Sequence, residues 1–178
     1  HLIGIGGFWK VYKGQVTHAT GCNAIAAKQL DRRFDQGEPE FLSELQILLV
    51  YKHENIIGLV GYCNELGESI IVYEYASRGR LDWCLSDNGL SWIKRLEICI
   101  DIASGLDFLH GSRGDTQEVV IHRDIKSSSI LLTDDWKAKM CDFGISLISP
   151  INNEMDFVTD NACGAINYRD PVYLKLGY

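Results

Sequence analysis

Apolar and polar positions change rhythm along the chain, from short alternating runs near the start to helical spacing further on. Val11–Tyr12 and Ala24–Lys28 are apolar runs on either side of a polar stretch, Thr17–Asn23, which predicts a pair of strands joined by a turn. Phe41, Leu45 and Leu48 then recur at helical spacing behind Pro39. Proline suits the first helical position because its missing N–H would have no partner there. Leu59–Tyr62 and Ser69–Tyr75 predict two more strands around the turn Asn64–Glu68. The texture changes at Ser77–Gly79. Beyond it Ser91 fits a helix N-cap, and Leu96, Cys99, Ile100, Ala103, Leu106 and His110 fall on one helical face, with Gly111 placed to stop the helix. Short strands and loops follow, without an internal repeat. The order is a small strand-rich lobe, a linker near Glu74–Gly79, and a helix-led lobe.

Composition narrows the class. The chain has 178 residues, 46% of them hydrophobic and 23% charged, which is enough apolar material for a core and excludes dominant disorder. The length fits one large domain or part of one. A net charge of −7 argues against non-specific binding of nucleic acid or of anionic membrane. The longest apolar runs, such as Ile70–Tyr73, are too short to span a bilayer, so no membrane contact is expected within this chain. No secretory signal opens it, and a start at His1 rather than Met reads as a fragment. Cys22, Cys63, Cys84, Cys99, Cys141 and Cys163 include no C-x-x-C pair, so free thiols in a reducing compartment are expected rather than a zinc site or a disulfide framework.

Three stretches carry chemistry. The opening, Ile3-Gly4-Ile5-Gly6-Gly7-Phe8-Trp9-Lys10-Val11, lets a backbone fold over phosphates without Cβ interference. By itself a glycine-rich hairpin with no ligand is the commoner meaning. Dinucleotide binding is excluded: Trp9 holds the third glycine position, a strand follows, and the downstream residue is Lys28 rather than an acid. Lys28 closes an apolar strand, where it suits phosphate oxygens if a carboxylate such as Glu44 holds its ammonium. Taken singly, a surface lysine and a solvated glutamate are the commoner fates. The strongest stretch is Val120-Ile121-His122-Arg123-Asp124-Ile125-Lys126-Ser127-Ser128-Ser129-Ile130-Leu131-Leu132, followed by Asp142-Phe143-Gly144. Asp124, flanked by Arg and Lys, suits a base that accepts a hydroxyl proton, and Asp142 suits a Mg²⁺ ligand. A surface salt-bridge cluster explains each piece alone but not the ordered set.

In that order these stretches resemble a protein kinase catalytic domain, and more narrowly the plant receptor-like Ser/Thr kinases related to Pelle. Further matches are Phe8–Gly14, Glu40–Glu44, His53–Ile56, Leu59–Cys63, Ile71–Tyr75 and Gly105–His110, spread over almost the whole chain. The resemblance implies an α+β, two-lobed kinase fold. Residues 1–76 would form the antiparallel-sheet small lobe and hinge with one helix, and 77–178 an incomplete helical large lobe that ends just past the activation segment. It implies ATP and Mg²⁺ as cofactors and a protein hydroxyl as acceptor. The nucleotide would be held by Ile3, Gly4, Gly6, Gly7, Val11, Ala26, Lys28, Glu44, Tyr73, Glu74, Ala76 and Leu131. In this set Lys28 takes the phosphates, Glu44 holds Lys28, and Tyr73 guards the back of the adenine pocket. The backbone of Glu74 and Ala76 meets adenine, while Val11, Ala26 and Leu131 sandwich its ring. Asp124 would be the base with Lys126 beside it, and Asp142 and Ser129 the metal ligands. Leu48, Leu59, His122 and Phe143 match four stacked side chains of an active kinase. Arg123 would read a phosphate on the activation segment at Thr159, with Asp160 as a weaker permanent charge. Partners would be a protein substrate and a receptor or co-receptor kinase. The location would be cytoplasmic, at the inner face of the plasma membrane where the chain belongs to a longer receptor.

Four positions depart from the family pattern. Trp9 adds bulk at the phosphate cover, and Ser129 replaces the loop Asn that ligates a second Mg²⁺. Ala165 replaces a Thr or Ser hydroxyl, and Val172 a Glu that pairs with an arginine. Losing a metal ligand or an electrostatic stabiliser costs roughly 10²–10³-fold in turnover. A pseudokinase, an ATP-binding or nucleotide-free signalling interaction module with impaired catalysis, is therefore the alternative expectation.

Overall fold

A computed structural model describes residues 1–18, 21–31, 37–87, 89–111, 118–150 and 163–176. The strand pattern in the first third gives one five-stranded antiparallel sheet. Its strands are β1 (Leu2–Ile5), β2 (Trp9–His18), β3 (Gly21–Leu30), β4 (Leu59–Glu65) and β5 (Glu68–Glu74), in the order β1-β2-β3-β5-β4. β2 and β3 run well beyond the apolar runs that predict them, because ladder pairing continues from Trp9 opposite Leu30 to His18 opposite Gly21. β4 and β5 are joined through Leu66 and Gly67, both at positive φ, in the two-residue hairpin geometry that matches strand twist.

Helix α1 (Glu38–Val50) carries Pro39 in its first turn, with Glu38 and Glu40 at the end where negative charge is favourable. It buries Phe41, Leu45 and Leu48 as the spacing predicts, and Glu44 and Ile47 with them. The segment after α1 is clipped to a later part of the chain. Asn55 O accepts from Met140 N at 2.8 Å, Met140 O from Ile57 N at 2.9 Å, and Asn55 Nδ2 donates to Ala138 O at 3.0 Å.

The linker leads through β6 (Gly79–Arg80) and α2 (Leu81–Cys84) into α3 (Trp92–His110). Ser91 caps α3, its Oγ accepting from Lys94 N at 3.3 Å. The buried face of α3 is not the one its apolar spacing predicts. Ile98, Asp101, Gly105 and Leu109 are buried, whereas Leu96 and Ile100 are 46% and 67% exposed. Two polar or minimal residues hold the inward face for physical reasons. Asp101 accepts the Ala138 N–H at 2.9 Å, and a Cβ on Gly105 would stand 3.0 Å from Met140 Sδ. With Trp92 and Ile93, the displaced residues form an exposed apolar stripe on α3.

Among the described residues the remaining strands are β7 (Glu118–Ile121), β8 (Ile130–Leu132), β9 (Ala138–Met140) and β10 (Leu147–Pro150). They form a β6-β8-β9 sheet and a β7-β10 pair, and α4 (Pro171–Leu176) follows. One core cluster runs from Phe41 and Leu48 through Ile71 and Tyr73 to Leu109, Leu132 and Phe143.

Candidate active site

Strands β1, β2, β3 and β5, with α1, the linker and the β8–β9 region, surround a cleft of about 770 Å³. Register brings its lining together, with Val11 opposite Lys28 across β2–β3 and Ala26 opposite Tyr73 across β3–β5. Glu74 and Ala76 line the cleft at the linker, Leu131 from β8, and Ile3, Gly4, Gly6 and Gly7 from the glycine-rich stretch. Glu44, Lys126 and Asp142 line it too. Every position expected to hold nucleotide therefore borders one cavity.

The charges converge on Lys28. Its Nζ donates to Glu44 Oε2 at 2.7 Å and to Asp142 Oδ1 at 3.0 Å. Burial by itself would lower the Lys28 pKa. The two carboxylates outweigh it and hold the ammonium above the ordinary lysine range. The Lys28 charge in turn holds Asp142 below the usual carboxylate range, against the opposing effect of its own burial. Tyr73 lies behind this group with its hydroxyl buried near Glu44, and burial, then the Glu44 charge, raises its pKa well above the ordinary value. Burial and the neighbouring Asp142 also push the Cys141 thiol far up, so this cleft-lining cysteine is held as the neutral thiol.

The loop after β7 positions Asp124. Its Oδ2 pairs with Lys126, and its Oδ1 accepts the Ala165 N–H at 2.8 Å. That amide contacts Asp124 where the residue's missing hydroxyl was expected to matter. Gly164 makes the approach feasible: its φ is +94°, and a Cβ there would lie 2.3 Å from Arg123 O. Ser129, fully buried, donates its hydroxyl proton to Asp124 O at 2.7 Å and keeps its lone pairs. The Asp124 amide donates to His122 Nδ1 at 3.3 Å, which leaves Nε2 to donate to Cys141 O at 3.0 Å. Burial lowers the His122 pKa. Its ring meets Phe143 at 4.7 Å between centroids, and Leu48 and Leu59 belong to the same apolar cluster. Arg123 and Asp142 adopt φ of +69° and +72°, a left-handed backbone that costs non-glycine residues about 1–2 kcal/mol each. Thr159 and Asp160 lie outside the described residues. Val172 is 57% exposed, and its amide donates to Asp170 Oδ1 at 2.7 Å as part of the α4 cap.

Sequence reasoning missed Arg78, Arg80 and Trp83, which also line the cleft. They lie at the end of the linker and just beyond it, where the texture changes, and carry no motif. Arg80 is held by Asp82 at 2.6 Å and lies over the Trp83 ring, and Arg78 stacks on Trp136 at 4.0 Å.

A strand lysine shared between a helix glutamate and the aspartate of an Asp-Phe-Gly turn is the arrangement that protein kinases build. Residues 1–171 match the family model described as protein tyrosine and serine/threonine kinase, and the chain belongs to that family. Within it, the chain is related to plant receptor-like kinases. It is 41% identical over 178 residues to receptor-like protein kinase HERK 1 of Arabidopsis thaliana, covering 97% of this chain and 20% of that protein. It is 40% identical over 177 residues to receptor-like protein kinase THESEUS 1 and 39% over 178 residues to receptor-like protein kinase ANXUR2, both from the same plant. Each of those matches covers 98% of this chain, which spans about a fifth of the length of these relatives.

Proposed function

We propose that the chain is an ATP-dependent protein serine/threonine kinase domain acting in plant receptor-like signalling. The carrying observation is the Lys28–Glu44–Asp142 group at one side of the cleft, its Lys28 and Glu44 enclosed and its Asp142 open to the cavity, with Asp124 presented by the neighbouring loop. Residues 1–76 act as the small lobe and hinge, and 77–178 as the part of the large lobe that carries the catalytic loop and the activation segment. Val11, Ala26 and Leu131 sandwich adenine, the Glu74 and Ala76 backbone reads its edge, and Lys28 takes phosphate oxygens. Asp124 accepts the proton of the attacking hydroxyl while Lys126 steadies the charge beside it. Lys126 is also the neighbour typical of Ser/Thr rather than Tyr kinases.

The residues fit a magnesium ion. Asp142 is held ionised and its side chain is 47% exposed at the cleft, whereas Ser129 is fully buried against Asp124 O and does not line the cleft. Among the described residues no three His, Cys, Asp or Glu side chains form a self-sufficient metal cluster. That suits an ion bound through one or two protein oxygens together with substrate phosphates. When bound, Mg²⁺ neutralises charge on the transferred phosphoryl group. Asp142 is the main ligand in this scheme and Ser129, set back from the cleft, a weak one.

Arg123 reads a phosphate at Thr159. The acceptor is a protein substrate, with a receptor or co-receptor kinase as partner, on the cytoplasmic side of the plasma membrane. Among the described residues no helix is long and apolar enough to cross a membrane. A second reading, an interaction module with weak turnover, is favoured by Ser129, by the absent hydroxyl at Ala165, and by the aromatic ring over Lys28.

Autophosphorylation of the full chain with labelled ATP and Mg²⁺ separates the two. Kinase activity predicts incorporation that Asp124→Asn abolishes. No incorporation above that control, together with an ATP-induced rise in melting temperature, selects the second reading. No thermal response to nucleotide at all removes the kinase reading and leaves only a nucleotide-free module.

A further inference from the structure

Trp9 stands at the third glycine position of the glycine-rich stretch, and its indole makes contacts that glycine has no atoms to make. It opens β2 two residues before Val11, so both side chains face the cleft. Its carbonyl accepts from Gly6 N at 2.8 Å, which ties it into the turn of that stretch. The indole stacks on Phe41 of α1, with centroids 6.5 Å apart and planes 25° from parallel, and Phe41 is fully buried. The Lys28 ammonium lies 4.7 Å from the indole centroid. An ammonium has three protons to place. Here Glu44 and Asp142 take two hydrogen bonds, and the indole face adds a third neighbour to a side chain that is 11% exposed.

We propose that Trp9 is the selectivity residue of the cleft: its π face competes with phosphate oxygens for the Lys28 ammonium. The phosphate chain then adds little to the affinity of an adenine nucleoside, and the site tolerates adenosine nearly as well as ATP. The inference rests on the cleft being an adenine-nucleotide site.

Two physical points carry it. A desolvated cation–π contact weights an equilibrium by about tenfold or somewhat more. The indole also does not swing aside freely, because displacing it from Lys28 breaks its stacking on Phe41 as well. If Trp9 merely filled space between the sheet and α1, removing it would alter stability but would shift the affinities of adenosine and ATP together.

Calorimetric titration of the full chain with adenosine, ADP and ATP in Mg²⁺ buffer distinguishes these cases. The wild type is expected to bind ATP within roughly threefold of adenosine, a difference well under one power of ten. Trp9→Gly should raise the ATP-to-adenosine affinity ratio about tenfold by releasing Lys28. Trp9→Leu keeps an apolar contact for Phe41 but has no π face, so it should give the same increase even if the glycine variant folds poorly. Trp9→Phe keeps a π face and should hold the ratio close to wild type. Equal ratios in all four proteins, or a wild type that already prefers ATP by more than a hundredfold, overturn the proposal. A wild type that binds neither adenosine nor ATP overturns the nucleotide reading itself, a different result from equal ratios.

Discussion

Glu44 is enclosed, with 1% of its surface exposed and its carboxylate 2.7 Å from the Lys28 ammonium. Glu44→Gln removes the charge but keeps the shape, leaving Asp142 to hold Lys28 alone. Breaking a buried pair in this way costs about 3 kcal/mol, readable as a lowered midpoint in urea unfolding. The raised Lys28 pKa contributes stability below its ordinary value of 10.5 and loses it at higher pH, and the lowered Asp142 pKa contributes above 3.8 and loses it on acidification. The ion group is therefore silent near neutrality. His122 is not silent there: its folded pKa lies below the ordinary 6.5, so the unfolded chain takes up the proton first. Stability is full above about pH 6.5 and falls as pH drops below it. Melting temperatures from pH 7.5 down to pH 5 should decline in the wild type and flatten in His122→Phe; parallel curves would remove His122 as the cause. The residues of the site were largely legible in the sequence, because Lys28, Glu44, Asp124 and Asp142 sit in ordered motifs. The indole contact with Lys28 was not, since nothing local to Trp9 indicates that Phe41 and Lys28 meet it.

Elements were legible where pattern and local chemistry agree. Pro39 and Ser91 mark the starts of α1 and α3. The face of α3 was not legible, because its inward positions include an acid and a glycine whose partners, Ala138 N and Met140 Sδ, lie far along the chain. The turn between β4 and β5 was placed correctly, but its cost was hidden. Leu66 has φ +51° and is fully exposed, so it bears left-handed strain without any packing return. Asparagine is the residue that two-residue turn favours before glycine. Leu66→Asn should therefore raise stability by about 0.5–1 kcal/mol without affecting nucleotide-dependent behaviour. Thermal unfolding of the variant beside the wild type checks it, and a lower melting temperature would show that Leu66 has a role the geometry does not display.

Across the whole molecule, the linker near Glu74–Gly79 was visible as a change of texture, while the continuity of the core across it was not. The clip between Asn55–Ile57 and Ala138–Met140 joins the strand-rich part to β9, two residues ahead of Asp142. Asn55 is buried, and Asn55→Ala leaves the Ala138 carbonyl without that donor, at a cost of about 1–3 kcal/mol. For a chain of this size that is a drop of roughly 3–10 °C. Far-ultraviolet dichroism and tryptophan fluorescence should report one shared transition, moved equally by the variant; two separate transitions would show that the clip does not couple the parts. The stripe of Trp92, Ile93, Leu96 and Ile100 acts at the same scale, on how molecules meet one another. At low ionic strength the net charge of −7 keeps copies apart. Sulfate screens that repulsion and strengthens apolar association. The second virial coefficient from static light scattering should therefore pass from positive to negative as ammonium sulfate rises, and at a higher salt concentration for Ile100→Glu than for the wild type.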